Sequence, residues 1–98
     1  MGDRKRKEAL GLLEVDGVCA AFAAVDAAAK AGDIVIESIE RTRQGCNVCI
    51  KMRGDVSSVQ AAIDAGVIVA NRVSKVAHHS VIAAPSSDTE KMLIYSDI

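Results

Sequence analysis

The chain has 98 residues, which is enough for one domain with one modest hydrophobic core. Half of the residues are apolar but only Phe22 and Tyr95 are aromatic, so Ala, Val, Ile and Leu must form a thin core that gains from contacts between subunits. The net charge of −1 argues against a general nucleic-acid binder, and no apolar run approaches the roughly 20 residues that a membrane-spanning helix needs.

The N-terminus is charged, with a short basic run at residues 4–7. It predicts a solvated tail over residues 1–8 rather than a binding patch or a secretory signal, followed by a single domain over residues 9–95. The three cysteines are Cys19, Cys46 and Cys49. An odd number of cysteines without an export signal is typical of reduced thiols in the cytosol.

The first predicted strand is the apolar run over residues 9–15. Asp16 is expected to cap the helix that follows over residues 17–31. The apolar stripe of this helix has helical spacing and consists of Val18, Phe22, Val25 and Ala29. Gly32 is expected to end the helix in the left-handed conformation.

Two further strands are predicted around a polar loop. Residues 34–40 are rich in β-branched side chains, and residues 47–52 alternate in polarity. The alternation places Val48, Ile50 and Met52 on one face and Cys49 and Lys51 on the other. The segment 41–46 is polar and contains a glycine, so it predicts a hairpin loop.

The last third of the chain predicts a helix, a strand and a short helix. Asp55 is expected to cap the second helix. Its apolar stripe consists of Val56, Val59, Ile63, Val67, Ala70 and Val73. Residues 75–83 predict the fourth strand, which Pro85 ends. Ser87 and Glu90 have capping-box spacing and predict a C-terminal helix through Ile94.

This order of elements predicts an α+β, ferredoxin-like fold. The order β-α-β-β-α-β forms an antiparallel sheet with two helices on one face, here with a short C-terminal helix added. The frame hosts many functions, so the fold alone does not decide between them. A base-stacking RNA-binding domain is set aside because the strands lack aromatic residues.

Candidate chemical residues do not converge on a catalytic pattern. The acidic residues of the predicted elements are scattered: Glu14, Asp26, Glu37, Glu40 and Asp64. His78 and His79 are neighbours in a strand, so they point to opposite faces and cannot chelate one ion together. Cys46 and Cys49 have C-x-x-C spacing, but within one strand their sulfurs would also lie on opposite faces. We therefore predict no enzyme and no metal site.

A set of stretches in order carries a resemblance to a known family. They are residues 9–15 (ALGLLEV), 24–30 (AVDAAAK), 53–56 (RGDV), 61–66 (AAIDAG), 81–82 (VI), Pro85 and the DxEK spacing of residues 88–91. Together they resemble the single-domain hexameric shell proteins of bacterial microcompartments, the BMC-domain family, from about Glu8 to Leu93 in the non-permuted order. The resemblance implies a structural protein whose cyclic hexamers self-assemble into a shell in the cytoplasm.

The resemblance also implies a central pore for metabolite transport. The pore would be lined by the loop between the second and third strands, namely Thr42, Arg43, Gln44, Gly45 and Cys46. This loop is one residue longer than in the plainest members, and Arg43, Gln44 and Gly45 are predicted to form the narrowest point. Six copies of the permanently charged Arg43 would favour small polar or anionic metabolites. The alternative is that Arg43 folds back onto Glu40 or points to bulk water and contributes nothing to selectivity.

Some relatives hold an iron–sulfur cluster through a pore cysteine, which makes such a cluster at Cys46 the alternative to a plain thiol. We predict the plain thiol, with no cofactor.

Contacts between hexamers are implied at two positions. Lys30 matches the family's edge lysine, whereas Ala84 occupies the position of an assisting arginine, and Asn71-Arg72 appear in reversed order. The implied partners are further copies of the chain, other shell paralogues and encapsulated enzymes bearing targeting peptides, with no nucleic acid and no membrane. A small regulatory domain that binds a metabolite at a subunit interface remains the alternative function.

Overall fold

The computed structural model describes residues 8–42 and 45–95. The elements are β1 (Ala9–Asp16), α1 (Val18–Ala31), β2 (Val35–Arg41), β3 (Asn47–Gly54), α2 (Val56–Val73), β4 (Val76–Ile82) and α3 (Ser87–Tyr95). The predicted α+β order with a short C-terminal helix is therefore confirmed.

The four strands form one antiparallel sheet in the order β2-β3-β1-β4. Helices α1 and α2 cover one face, where the side chains of Leu13, Ile50 and Ile63 belong to the same buried cluster. Helix α3 lies on the opposite face, where Met92 and Leu93 line a cavity with residues of β1, β3 and β4. We call this second face the open face of the sheet.

The buried side of α1 differs from the prediction. Its buried residues are Ala20, Ala21, Ala24 and Ala28, whereas Phe22 is 61% exposed and Val18 and Ala29 are exposed. Val25 alone of the predicted stripe packs partly against the core. The reason is the close approach of the two helices: a Cβ built on Gly66 of α2 would lie 3.4 Å from the carbonyl oxygen of Ala24. Only small side chains fit between backbones at that separation.

Both predicted caps of α1 are wrong. Asp16 is the last residue of β1, and Gly17, at φ +100°, precedes the helix without a side-chain cap. Gly32 is extended, at φ −144°, rather than left-handed. Glycine is needed at this position because there is no room for a side chain: a Cβ at Gly32 would lie 2.3 Å from the backbone oxygen of Ser58.

Helix α2 follows the prediction more closely. The Asp55 carboxylate accepts a hydrogen bond from the Ser58 N–H at 2.9 Å, which confirms the predicted cap and lowers the pKa of Asp55. The buried residues are Val59, Ala62, Ile63, Gly66 and Ala70. Val56 and Val73, predicted to be buried, are exposed because they occupy the first and last positions of the helix.

The cap of α3 is shifted by one residue from the prediction. Ser86, not Ser87, accepts the N–H of Thr89 at 3.1 Å, and its carbonyl oxygen accepts the N–H of Glu90. Glu90 is therefore four residues after the cap, one too many for a capping box, and both oxygens of its carboxylate bind the guanidinium of Arg53 on β3. Helix α3 is therefore held to the open face by a bidentate ion pair.

Strand β3 carries buried side chains on both faces. As predicted, Val48, Ile50 and Met52 enter the core, while Cys49 and Lys51 lie on the open face, also buried. The Lys51 ammonium lies 2.7 Å from the carboxylate of Glu40. A buried lysine needs such a partner, because desolvating an unpaired charge is costly.

Strand β2 contains one residue more than the part of β3 with which it pairs. Glu37 has no partner across the ladder, since Ile36 pairs with Met52 and Ser38 with Lys51. The irregularity is a β-bulge, which reorients a side chain locally. The Glu37 carboxylate lies 3.1 Å from the Nε of Arg53.

Candidate functional site

The loop between β2 and β3 is the candidate site. Its described residues are Thr42, Gly45 and Cys46; the predicted pore residues Arg43 and Gln44 lie outside the described residues. The Thr42 N–H donates to the carbonyl oxygen of Asn47 at 2.9 Å, and the Thr42 hydroxyl donates to the same oxygen at 3.2 Å. These two hydrogen bonds close the base of the hairpin. Gly45 has φ +67°, a left-handed conformation that favours glycine.

Two further hydrogen bonds join the loop to the rest of the domain. The N–H of Gly17, at the start of α1, donates to the carbonyl oxygen of Cys46 at 2.9 Å. The side-chain amide of Asn47 donates to Oε2 of Glu14 on β1 at 2.7 Å. A cavity of about 280 Å³ lies at this junction, lined by Gly17, Val18, Arg41, Gly45, Cys46 and Asn47. The loop is thus hydrogen-bonded to the residue that precedes α1 and to β1, an inner strand of the sheet.

The cysteines differ in accessibility. Cys19 and Cys46 are exposed and Cys49 is buried. Burial raises the pKa of the Cys49 thiol, which keeps it protonated and unreactive at neutral pH. Within residues 8–42 and 45–95, no group of three or more His, Cys, Asp or Glu side chains is arranged to hold a metal ion.

The histidine pair lies on an edge strand. His78 pairs across the sheet with Glu14, and His79 pairs with Leu13. Because Leu13 belongs to the core and Glu14 lies on the open face, this register fits the predicted opposite orientation of the two imidazoles, although both histidines border one cavity with Leu12, Glu14 and Cys49. Both histidines are exposed.

The predicted edge residues lie on other elements than the loop. Lys30 is in the last turn of α1 and pairs with Asp26, four residues earlier, at 2.8 Å. This contact raises the pKa of Lys30, although its side chain is 76% exposed. Ala84 follows β4 and is exposed. Asn71 has a local structural role, since its side-chain oxygen accepts the N–H of Val76 at 3.1 Å and ties α2 to β4.

The sequence analysis missed Glu14 and Asn47 as loop anchors. A signal was present: Asn47 is polar and opens an otherwise largely apolar strand. The position of its partner, 33 residues away, became apparent only with the register of β1 against β3.

Fold and site together define a class of protein. This is a ferredoxin-like α+β domain whose loop between β2 and β3 is hydrogen-bonded to β1 and to the start of α1, and whose single phenylalanine is exposed. The model of the BMC domain family matches residues 9–85. The chain belongs to the BMC-domain family of bacterial microcompartment shell proteins.

Individual relatives agree with this family. The chain is 40% identical over 88 residues to the bacterial microcompartment shell protein PduA of Citrobacter freundii, covering 90% of this chain and 94% of PduA. It is 38% identical over 87 residues to the carboxysome shell protein CcmK2 of Synechococcus elongatus, covering 87% and 84%. The expected family and its location, a microcompartment shell within the bacterial cytoplasm, are thereby confirmed.

A solved structure supports the same fold. A microcompartment protein from Desulfitobacterium hafniense DCB superposes with a TM-score of 0.73 at 25% identity over 82% of this chain. The chain spans 43% of that longer protein. In the part of the chain that the structure describes, no helix has the length and apolar character needed to cross a bilayer.

Proposed function

We propose that this chain is a non-enzymatic tile of a microcompartment shell, that six copies form a closed ring, and that the rings join edge to edge. The loop between β2 and β3 would surround the ring's central pore, which passes small polar metabolites. Support comes from the relatives, which are named as shell proteins and one of which the chain spans almost completely. Residues 9–95 act as the single shell domain in this proposal, preceded by the basic tail of residues 1–8.

The observation that carries self-association is the exposure of Phe22. The chain's single phenylalanine is exposed on α1, and Ile68 on α2 is exposed as well. Seven of the sixteen buried apolar residues in the described part are alanines, so the protomer buries small side chains and exposes several large ones. Covering a phenylalanine against another copy is worth about 2 kcal/mol per subunit. A homo-oligomer therefore supplies the burial that one copy lacks.

Replacing Phe22 with lysine is expected to abolish the ring, because a charge would enter an apolar contact repeated in every subunit. Native mass spectrometry and negative-stain images should show six-fold particles for the parent and monomers for Phe22→Lys. Phe22→Leu is the matched control and should keep the hexamer, since leucine also buries a large apolar surface. A hexamer that persists in Phe22→Lys would contradict this role of Phe22.

The same images separate the structural role from the alternative one. Six-fold rings and extended sheets support the tile. A dimer or trimer that responds to an added metabolite would instead support a regulatory domain.

The pore residues in this proposal are Thr42, Arg43, Gln44, Gly45 and Cys46. Six copies of Arg43 around one axis would raise the local concentration of anions. Arg43→Ala is expected to reduce the flux of small anions into assembled shells several-fold relative to neutral solutes of the same size. Lys75→Ala removes an exposed cation between α2 and β4 and is the control. Equal anion flux through shells of the parent and of Arg43→Ala would show that the charge of Arg43 does not determine the selectivity of the pore.

Edges and partners complete the proposal. Lys30 would contact a neighbouring ring, and Ala84 would leave this contact without the arginine of other members, so this chain would tile best beside another shell paralogue. Encapsulated enzymes would be further partners through their targeting peptides.

Cys46 would be a plain thiol with no bound cluster. Iron analysis and the visible spectrum of anaerobically purified protein test the last point, and a stoichiometric iron content would refute it.

A further inference from the structure

Among the described residues, a side-chain hydrogen bond joins the loop that would line the pore to strand β1. The amide of Asn47 donates to Oε2 of Glu14 at 2.7 Å, a distance typical of a hydrogen bond to an ionised carboxylate. Asn47 pairs directly with Asp16, and Glu14 pairs with Cys49, so the contact runs diagonally across the two strands. Diagonal neighbours are within reach of a long side chain such as glutamate.

Asn47 also receives the other end of the loop. Its carbonyl oxygen accepts both the N–H and the hydroxyl of Thr42. Asn47 therefore binds Thr42, next to the end of β2, through its main chain, and binds the inner strand β1 through its side chain. A further hydrogen bond, from the Gly17 N–H to the Cys46 carbonyl oxygen, involves only main-chain atoms.

We infer that Glu14 and Asn47 are positioning residues for permeation: their hydrogen bond fixes the position of Cys46, the residue before Asn47, relative to the pore. This inference rests on the proposed function for the existence of the pore. A carboxylate can only accept, so the direction of the hydrogen bond is determined by chemistry. Exchanging the two groups should preserve the anchor, whereas two carboxylates facing each other should repel and push the loop away from β1.

The experiment uses native thiols as reporters. Cys46 is exposed within the loop, and buried Cys49 reports opening of the sheet itself. Labelling rates are followed residue by residue by mass spectrometry on hexamers of the parent, Asn47→Asp, Glu14→Leu and the double variant Glu14→Gln/Asn47→Asp. Uncharged maleimides of two sizes are used, and the flux of small solutes is measured on the same samples.

We expect the rate at Cys46 to change about tenfold in Asn47→Asp and in Glu14→Leu, the size of effect that losing a hydrogen bond to a charged group produces. The double variant should return to within about twofold of the parent because the hydrogen bond re-forms with reversed polarity. Cys49 should stay unlabelled in all four proteins, which a general loosening of the fold would not allow.

Parental rates and flux in both single variants would overturn the inference, as would a double variant no closer to the parent than the single ones. Loss of hexamers in both single variants without recovery in the double would overturn it too. Failure of the pore itself has a different signature: Cys46 of the parent hexamer would react equally fast with the small and the large maleimide.

Discussion

Replacing Arg53 with methionine is expected to lower the free energy of unfolding by about 3 kcal/mol, since it leaves two partly buried carboxylates without their cation. The Arg53 side chain is 5% exposed and lies between the carboxylates of Glu37 and Glu90. Burial by itself would lower the pKa of Arg53, but the hydrogen bonds that Arg53 donates to Glu90 and Glu37, together with the charges of both carboxylates, outweigh burial and raise the pKa. Methionine keeps the length of the stem but leaves both carboxylates unpaired.

Denaturant unfolding at one fixed protomer concentration measures this effect, because assembly contributes to the apparent stability. Asp26→Asn is the control: its ion pair with Lys30 is exposed on both sides, so the free energy of unfolding should hardly change. The double variant Arg53→Met/Glu90→Leu should recover much of the loss, because an apolar pair can replace a buried ion pair. Equal effects of Arg53→Met and Asp26→Asn would show that burial does not determine how much these ion pairs contribute to the free energy of unfolding.

Gly32→Ala is expected to destabilise the domain by about 2 to 3 kcal/mol, the range for overpacking at a rigid contact. The added Cβ would lie 2.3 Å from the oxygen, 3.1 Å from the carbonyl carbon and 3.3 Å from the Cα of Ser58. These are backbone atoms in the first turn of α2, where the Ser58 N–H is already held by the Asp55 carboxylate. Relief would require the end of α1 to move away from α2.

Gly45→Ala provides the contrast for this prediction. A Cβ at Gly45 would meet nothing within 4 Å, but the left-handed backbone there costs a non-glycine residue about 1 kcal/mol. Thermal unfolding of the two variants at one protomer concentration should therefore rank Gly32→Ala as the less stable. The reverse order would mean that backbone conformation, and not the approach of α1 to α2, dominates at these glycines.

Local rules accounted for the order of elements and for the faces of β3. Successive side chains of a strand point to opposite faces whatever surrounds them, so the positions of Val48, Ile50 and Met52 against Cys49 and Lys51 followed from spacing alone. The Asp55 cap is equally local, because its acceptor lies only three residues away along the chain. Such contacts are encoded within one turn or one strand.

The buried face of α1, in contrast, could not be predicted from residues close in sequence. The helix has two apolar faces, one made of alanines and one that includes Val18 and Phe22, and hydrophobicity favours the larger side chains. The structure buries the alanines because α2 approaches closely at Gly66. The large side chains are then left outside, which is the feature that points to further copies of the chain.

The resemblance correctly identified the family, and the flanking strands placed the loop between β2 and β3, because both depend on the order of residues along the chain. The way this loop and α3 are held was decided by pairs far apart in sequence: Glu14 with Asn47, 33 residues apart, and Arg53 with Glu90, 37 residues apart. No local propensity encodes such pairs. They exist because the sheet brings β1 beside β3 and the chain returns across the open face, so only folding in three dimensions selects which polar side chains meet.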